Sequence, residues 1–416
     1  MYRVSRPMME ETITQRLIRR TGVTGTHENA CRPCVVVVDI AASNGGALSI
    51  LKDFTSYVAF QDVGVDWVFL VSSDAISSSV PWVRVVRDAY PKRSWAHRLT
   101  WEILIAPRLV QRYAPNAALS LQNTIVPFIK VPQVVYVHQP LPYSSERSWS
   151  VFRKEERKVA LFVPVARLFI NWSVRTARRV IVQTHWMAEA LARSAAIDRE
   201  KILVIAPDCL LPDFIAHFDP ADDERPVFFY PAGPSLYKNF EALVHACELL
   251  PKSRRQLRMI LTISGKENAY TKRILTMARS LDPMFELRGP VPREEVLSIL
   301  ARSTLIFPSY IETFGLPLKE ARLLGRPILA ADTPFAHEIL DGYPLVRFFP
   351  WNEPHCLATL MQEVLDGRWP LPYTIAPVES GSSQPSSWEQ VVTIVMRIAK
   401  KQVDDEPEGK GRSTTI

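Results

Sequence analysis

The feature that most constrains the fold is an alternation of short apolar runs with amphipathic segments, which occurs in both halves of the 416 residues. Cys34–Ile40 is almost entirely β-branched, as expected for a strand that is buried on both faces. The first half has further runs of this kind at Val65–Val71, Trp82–Val86, Ala117–Leu121, Pro132–Val137 and Arg179–Val182. The helical candidates between them are Gly46–Tyr57, Ser94–Tyr113 and Thr184–Ala195. Strands and helices in this order predict a parallel sheet with crossover helices.

The second half repeats the pattern after a break at Pro207–Pro226. Its predicted strands are Val227–Tyr230, Leu257–Ile263, Phe285–Arg288, Leu305–Phe307 and Pro327–Ala330. Phe240–Leu250 has helical spacing, and Pro292 and Pro317 stand where a first helical turn begins. Two open parallel sheets in tandem bind ligands at the carboxyl ends of their strands, so we look for the chemistry in the loops that follow strands.

Composition shifts along the chain give the domain boundaries. We predict a flexible extension over 1–32, a first domain over 33–207, a linker over 208–226 and a second domain over 227–377. A linker rich in Ser, Gly and Pro and a last amphipathic helix follow over 378–402, and 403–416 reads as a disordered tail. No apolar run reaches the roughly 18–20 residues of a spanning helix, and the N-terminus lacks a signal-peptide core. These observations favour a cytoplasmic protein.

The composition is that of a folded protein, with 47% hydrophobic and 22% charged residues. The net charge of +7 fits an anionic partner such as a nucleotide diphosphate, a lipid phosphate or a membrane surface. No zinc-ligand cluster or nucleic-acid motif accompanies it, so we expect no nucleic-acid partner. Cys31 and Cys34 form a CxxC without a second ligand pair, which favours ordinary reduced thiols.

The sharpest motif is Glu312-Thr-Phe-Gly-Leu-Pro-Leu-Lys-Glu320, which follows the predicted strand Leu305–Phe307. The pattern places Glu312 in a loop and Glu320 about one turn inside a helix. Carboxylates accept hydrogen bonds from neutral hydroxyls, which sugar and ribose rings offer. Backbone amides at the helix start form a positive end that suits a diphosphate. Acidic residues at a helix start are common, so the whole string, rather than the pair, carries the prediction.

A second motif follows the strand Val227–Tyr230, where a PAG turn precedes Tyr237-Lys238-Asn239. A lysine just beyond a strand reaches phosphate oxygens as a mobile point charge. The alternative is a solvated helix start. We favour phosphate binding by Lys238, because the charge on a leaving group must be stabilised somewhere.

Two shorter motifs follow strands of the first half. Gly45 and Gly46 come directly after Cys34–Ile40, and a glycine pair lets the backbone approach a ligand closely, although such a turn is more often structural. His138 follows Pro132–Val137. A lone histidine is more often a hydrogen-bonded structural residue, and only its position at a strand end favours a role in the cleft. Gln183–His185 is a weaker candidate of the same kind.

The Glu312–Glu320 string resembles the signature of glycosyltransferase family 4, two glutamates separated by seven residues. The similarity extends over Leu287–Gly289, Pro292–Ala301, Pro308–Tyr310 and Pro327–Ile339, and it is looser in the first half. The resemblance implies an α/β fold of the GT-B architecture, with two Rossmann-like domains facing each other across a cleft. Residues 33–207 would form the acceptor-side domain and 227–377 the nucleotide-sugar donor domain.

The resemblance also implies roles for single residues. Glu312 would contact the hydroxyls of the donor sugar, Glu320 the nucleotide ribose and His138 the donor sugar, and His138, Lys238 and Glu312 would be catalytic. The implied donor-binding residues are Gly45, Gly46, Gly233, Lys238, Gly289, Glu312, Thr313, Phe314, Gly315, Leu316 and Glu320. The family often has an arginine beside the lysine, but here Pro234 and Ser235 occupy that place. Either Lys238 is the main cation, or another residue such as Lys266 or Arg288 assists it.

The expected activity is that of a retaining glycosyltransferase of the hexosyltransferase type (EC 2.4). It would move a sugar from a nucleotide-diphosphate sugar to a glycan or lipid-linked acceptor in surface polysaccharide biosynthesis. Because no DxD-like motif accompanies these elements, we expect neither a metal nor a cofactor besides the donor. Two alternatives stay open: a nucleotide-sugar epimerase or hydrolase, and a non-catalytic nucleotide-sugar-binding protein. The missing arginine gives the second some support, whereas the intact Glu312, Glu320, Lys238 and His138 argue against it.

The segment Arg153–Arg175 mixes basic residues with LFVPVARLFINW. It fits an interfacial helix in peripheral contact with the inner face of a membrane, with Arg and Lys meeting anionic lipid and the apolar residues entering it. It also fits a buried domain helix with charged flanks, which we favour slightly from the sequence.

Overall fold

The fold is described from a computed structural model of the chain. The structure describes residues 32–42, 45–209, 211, 227–254, 256–281, 284–369 and 385–404. Apart from residues at their edges, the predicted extension 1–32, linker 208–226 and tail 403–416 lie outside the described residues. From Pro33 onward the described residues belong to one compact unit.

The first sheet has seven parallel strands in the order β3-β2-β1-β4-β5-β6-β7. The strands are β1 Cys34–Asp39, β2 Asp66–Val71, β3 Val83–Arg87, β4 Ala117–Ser120, β5 Gln133–Tyr136, β6 Arg179–Val182 and β7 Ile202–Val204. The helices beside them are α1 Gly45–Phe60, α2 Trp95–Thr100, α3 Ala106–Arg112, α4 Arg157–Thr176 and α5 His185–Ala195. The central strands are buried along their length, which explains their continuous apolar runs.

The second sheet has six parallel strands in the order β10-β9-β8-β11-β12-β13. The strands are β8 Val227–Tyr230, β9 Arg258–Leu261, β10 Phe285–Leu287, β11 Thr304–Phe307, β12 Ile328–Ala331 and β13 Val346–Phe349. The helices are α6 Phe240–Leu249, α7 Ala269–Ala278, α8 Arg293–Leu300, α9 Leu316–Leu323, α10 Pro334–Leu340 and α11 Pro354–Leu365. Asn268 and Thr271 begin α7 with a reciprocal capping box.

The last helix, α12 (Ser387–Asp404), packs on the first sheet rather than the second. Val391, Val395 and Ala399 are fully buried in the core that surrounds β1, and Trp388 packs against Phe54 with ring centroids 5.0 Å apart. Helix α12 therefore returns to the first domain, although it follows the second domain along the chain. This return ties the two domains together covalently a second time.

The predicted fold is confirmed: each half is a doubly wound parallel sheet, in the strand order of a Rossmann-like domain. Two strands were not predicted, β7 and β13, because β7 has only three residues and only the last residue of β13 is buried. The predicted helix Ser94–Tyr113 is broken by a π-helical turn over Trp101–Ile105. Pro107, which has no amide hydrogen to donate, lies in the first turn of the helix that follows.

The expectation that Arg153–Arg175 is a buried helix was wrong. Helix α4 begins at Arg157, and several of its large apolar side chains are exposed. It is also the one helix among the described residues that is long and apolar enough to cross a membrane, judged by length and composition. Its inner face packs on the sheet through Ile170 and Val174.

Candidate active site

The charged residues of the second domain meet at the switch point of its sheet. Strands β8 and β11 are neighbours, and their crossovers leave in opposite directions along the sheet. This arrangement opens a crevice at their carboxyl ends, where doubly wound sheets bind ligands. Lys238 lies in the loop after β8, and Glu312 lies in the loop after β11. Tyr310 N–H donates to the carbonyl of Tyr237 at 3.2 Å and joins the two loops.

Lys238 and Glu312 form an ion pair in this crevice, with both side chains largely buried. Ser309 Oγ donates to the same oxygen of Glu312 at 2.8 Å, so the carboxylate is held from two sides. Burial alone would lower the pKa of Lys238, but the charge of Glu312 outweighs it and holds that pKa above its ordinary value. Lys238 is therefore a fixed cation in a low-dielectric site, where its attraction for an anion is strong.

Glu320 lies on the buried face of α9 and pairs with Arg293, the first residue of α8, at 2.8 Å between Nη2 and Oε1. Burial raises the pKa of the Glu320 carboxyl, and the charge of Arg293 opposes the rise. The side chain of Arg293 is half exposed, whereas that of Glu320 is buried. The arginine therefore shields the carboxylate from the solvent side.

The remaining predicted donor-site residues surround these two pairs. Gly315, the N-cap of α9, has φ +85°, a left-handed conformation that glycine adopts without strain. Gly289, after β10, also has a positive φ. A Cβ at Gly233 would meet nothing within 4 Å, so the turn after β8 is open to a ligand. Leu316 is exposed at the start of α9, whereas the Phe314 side chain packs in the core, so only its backbone can line a ligand site.

Arg288 and Lys266, the two residues considered in place of the missing arginine, differ in whether their side chains are free to contact a phosphate. Arg288 pairs with Glu286 at 2.6 Å and with Glu295 at 2.9 Å, which engages its guanidinium away from a phosphate. Lys266 is exposed in the loop after β9. That loop contacts the turn after β8, because Asn268 Nδ2 donates to the carbonyl of Pro234 at 2.7 Å. Lys266 is thus the better placed of the two.

At the carboxyl edge of the first sheet, burial shifts the pKa values of two titratable groups towards the neutral form. His138, two residues beyond β5, accepts no proton near neutrality, because burial lowers its pKa to about 4. Its backbone N–H donates to Asn123 Oδ1 at 2.7 Å, and its Nδ1 atom has no hydrogen-bond partner among the described residues. Asn123 has φ +71°, which is uncommon for a residue with a side chain and is often associated with functional sites.

The end of β1 holds a second buried titratable group. Asp39 is fully buried, and burial raises its pKa to about 7. Its Oδ1 accepts from the N–H of Ala42 at 3.1 Å, and Gln122 Oε1 accepts from the N–H of Ile40 at 3.2 Å. Residues 43 and 44 lie outside the described residues, and α1 begins at Gly45. A Cβ at Gly46 would meet nothing within 4 Å.

The two carboxyl edges face each other. Thr184 Oγ, after β6, donates to the carbonyl of Thr313, after β11, at 2.8 Å. The Glu338 carboxylate of α10 accepts from the first amides of α5, His185 N–H at 2.7 Å and Trp186 N–H at 3.0 Å. This places a carboxylate at the positive end of a helix of the other domain. The weak candidate Gln183–His185 thus lies at a domain contact, and Gln183 is held by Tyr136.

A second contact crosses the cleft farther out. The segment after β5 carries Arg147 and Trp149 to Tyr310, whose ring is stacked with that of Trp149 at 6.5 Å and tilted against that of Trp351 at 4.4 Å. Trp351 Nε1 in turn donates to Glu146 Oε2 at 3.1 Å. Aromatic rings of both domains thus meet where the segment after β5 contacts the second domain.

Sequence reasoning missed four residues of this site: Arg293, Ser309, Gln122 and Asn123. Each follows a predicted strand or begins a predicted helix, and that position was the available signal. Their roles depend on partners 3 to 82 residues away along the chain, which only the folded arrangement brings together.

The chain has the GT-B fold, and solved structures share it. Sucrose-phosphate synthase from Thermosynechococcus elongatus superposes with a TM-score of 0.63 at 14% identity, over 90% of this chain and 98% of that one. Anabaena HepE in complex with UDP-glucose gives a TM-score of 0.56 at 17% identity, over 89% and 98%. At these identities the likeness concerns the fold.

Comparison of the sequence with known proteins indicates the class of enzyme that the chain resembles. Residues 214–370 match the family model described as glycosyl transferases group 1. The O-antigen chain mannosyltransferase RfbU of Salmonella typhimurium is 22% identical over 60% of this chain and 67% of its own length. Matches to the other curated relatives span 35% to 62% of their lengths. Together the matches support a glycosyltransferase of the GT-B fold.

Proposed function

We propose that the chain is a retaining glycosyltransferase of family 4 that transfers a hexose from a nucleotide-diphosphate sugar. The observation that carries the proposal is the Lys238–Glu312 pair at the switch point of the second sheet, beside the first turn of α9. A buried cation and a helix N-terminus stabilise the charge that develops on a departing diphosphate. The complex of HepE with UDP-glucose supports a nucleotide sugar as donor.

In the proposed reaction, Glu320 accepts hydrogen bonds from the ribose and Glu312 from the donor sugar. Donor binding brings a second charged partner to Lys238, so the lysine bridges Glu312 and the diphosphate. The bond between the anomeric carbon and the diphosphate oxygen breaks, and its electron pair stays on the diphosphate. The acceptor oxygen bonds to the anomeric carbon on the same face and gives its proton to the departing diphosphate. The neutral His138 hydrogen-bonds the donor sugar from the first domain.

The proposal requires no metal, because Lys238 and the amides of α9 take the role of a cation at the diphosphate. The proposed acceptor is a glycan or a lipid-linked glycan of surface polysaccharide assembly. RfbU, an O-antigen chain mannosyltransferase by name, supports that setting. We place the enzyme in the cytoplasm, in peripheral contact with the inner face of the membrane.

The test is turnover of UDP, GDP, ADP and dTDP sugars with and without a membrane glycolipid extract, in the presence of a metal chelator. We expect nucleoside diphosphate release that depends on the acceptor, and a product whose anomeric configuration by NMR is that of the donor. Release without acceptor would instead identify a hydrolase, and conversion of the donor sugar an epimerase. Donor binding without any turnover would identify a non-catalytic binding protein.

A further inference from the structure

Helix α4 presents an apolar face that the fold leaves uncovered. Large apolar side chains follow helical spacing on that face, and each is between 39% and 68% exposed: Leu161, Phe162, Val165, Leu168, Phe169 and Trp172. We call these six residues the α4 stripe. Spacings of three and four residues place them on one side of the helix. Phe152, which is 89% exposed, precedes the helix.

Basic residues border the α4 stripe at both ends. Helix α4 contains no acidic residue. The exposed basic residues are Arg153, Lys154, Arg157 and Lys158 at its start, Arg167 in its middle, and Arg175, Arg178 and Arg179 at its end. Glu156, the nearest acid on the chain, is buried and paired with Arg147 at 2.5 Å. An apolar face bordered by Lys and Arg is complementary to an anionic bilayer, in which acyl chains lie beneath negative headgroups.

The fold requires α4 to lie on a bilayer rather than cross it. The helix connects β5 to β6, which pair side by side with Val134 opposite Arg179. Its opposite face is fixed to the domain, because Ile170 and Val174 are buried and Asn171 Oδ1 accepts from the Tyr143 hydroxyl at 3.0 Å. A spanning helix would have to break these contacts, whereas a helix in the interface plane keeps them.

We propose that the α4 stripe is a docking surface for an anionic phospholipid bilayer. The stripe enters the boundary between headgroups and acyl chains, and the basic residues at both ends of α4 contact the headgroups. The segment from His138 to α4 also carries Arg147 and Trp149 to the cleft. Docking therefore places the first-domain side of the cleft next to the membrane. The inference deepens the proposed function and rests on it for the lipid-linked nature of the acceptor.

The test is flotation of the full chain with vesicles of phosphatidylcholine alone and of phosphatidylcholine with an equal part of phosphatidylglycerol. We expect binding to the anionic vesicles, weakened by salt, and little binding to the neutral ones. The variant Leu161→Glu/Leu168→Glu should lower the partition coefficient by at least about tenfold, because two exposed leucines leave the interface and two negative charges enter it.

The matched control is Phe60→Glu/Leu249→Glu, which makes the same charge change at side chains that are 54% and 57% exposed elsewhere. It should bind as the wild type does. Equal binding to neutral vesicles, an unchanged Leu161→Glu/Leu168→Glu variant or an equal loss in the control would overturn the proposal. So would a dimer in light scattering that the stripe variant dissociates, because the stripe would then meet a second copy.

Nucleotide-sugar binding is measured on the same proteins by thermal shift. A stripe variant that keeps its donor-induced shift is folded, so its loss of vesicle binding is a loss of the docking surface. Vesicle binding by a wild type that binds no donor would support the membrane surface and contradict the proposed function. Donor binding without vesicle binding would support the proposed function and contradict the membrane surface.

Discussion

The two facing edges of the cleft differ in charge. The edge of the second sheet holds Lys238 and Glu312 as an ion pair, and Glu320 is paired with Arg293. At the edge of the first sheet burial shifts titratable groups towards their neutral forms: it lowers the pKa of His138 to about 4 and raises the pKa of Asp39 to about 7. A charged diphosphate suits the ion pairs at the edge of the second sheet, and the uncharged hydroxyls of sugars suit the groups at the edge of the first sheet.

The two edges differ because their buried titratable groups have different partners. Each charged group discussed at the second edge contacts a partner of opposite sign, Glu312 for Lys238 and Arg293 for Glu320. At the first edge Asp39 accepts from the N–H of Ala42, and the imidazole Nδ1 of His138 has no hydrogen-bond partner among the described residues. Burial without a countercharge favours the neutral form.

The largest effect should come from removing the cation of the second edge. Lys238→Ala should lower kcat by about 100- to 1000-fold, because the departing diphosphate loses its fixed positive charge. Steady-state kinetics with the best donor measures this loss. Lys272→Ala, an exposed lysine on α7, is the control and should keep wild-type kcat. If kcat of Lys238→Ala equals that of the wild type, the charge of Lys238 does not contribute to the reaction.

A smaller effect is expected at the neutral edge. His138→Ala should lower kcat/KM by about tenfold, the size of one hydrogen bond to the donor sugar. Because the pKa of His138 is lowered to about 4, the imidazole is neutral well above that pH. The ratio of wild-type to variant rates should therefore be constant between about pH 5.5 and 8. A ratio that falls with rising pH in this range would show that the protonated imidazole of His138 takes part in the reaction, which would contradict a neutral His138.

The smallest effect should be on stability at Asp39. Its pKa is raised from 3.8 to about 7, so the folded state keeps a proton that the unfolded state has released. Stability is therefore lost as pH rises through this window. Asp39→Asn, which mimics the protonated form, should match the wild type near pH 4 and exceed its Tm by about 2–4 °C near pH 8.

The control for this experiment is Asp74→Asn, an exposed aspartate in the loop after β2. Its Tm difference from the wild type should be the same at both pH values. A Tm difference for Asp39→Asn that does not change with pH would show that the pKa of Asp39 is not raised in the folded protein.

The sequence predicts the fold well because buried parallel strands leave continuous apolar runs such as Cys34–Asp39. It predicts the place of Lys238, Glu312 and Glu320, since loops after strands lie at one edge of a sheet. It does not predict that Arg293 pairs with Glu320 or that Asn123 holds His138. These contacts join separate elements and leave no periodic pattern. The exposed face of α4 was mispredicted for a related reason: an apolar run does not say which of its residues the sheet covers.

The most direct test of the account is donor binding at the charged edge. We would measure the thermal stability of the wild type, of Glu320→Gln and of the control Glu294→Gln against UDP, GDP, ADP and dTDP sugars. Glu294 is an exposed carboxylate next to Arg293. At about 100 times the Kd, a bound donor stabilises a protein by about 2.7 kcal/mol. We predict such a shift with one nucleotide class in the wild type and the control, and its loss in Glu320→Gln. A shift with no donor, or one that Glu320→Gln keeps in full, would contradict the account.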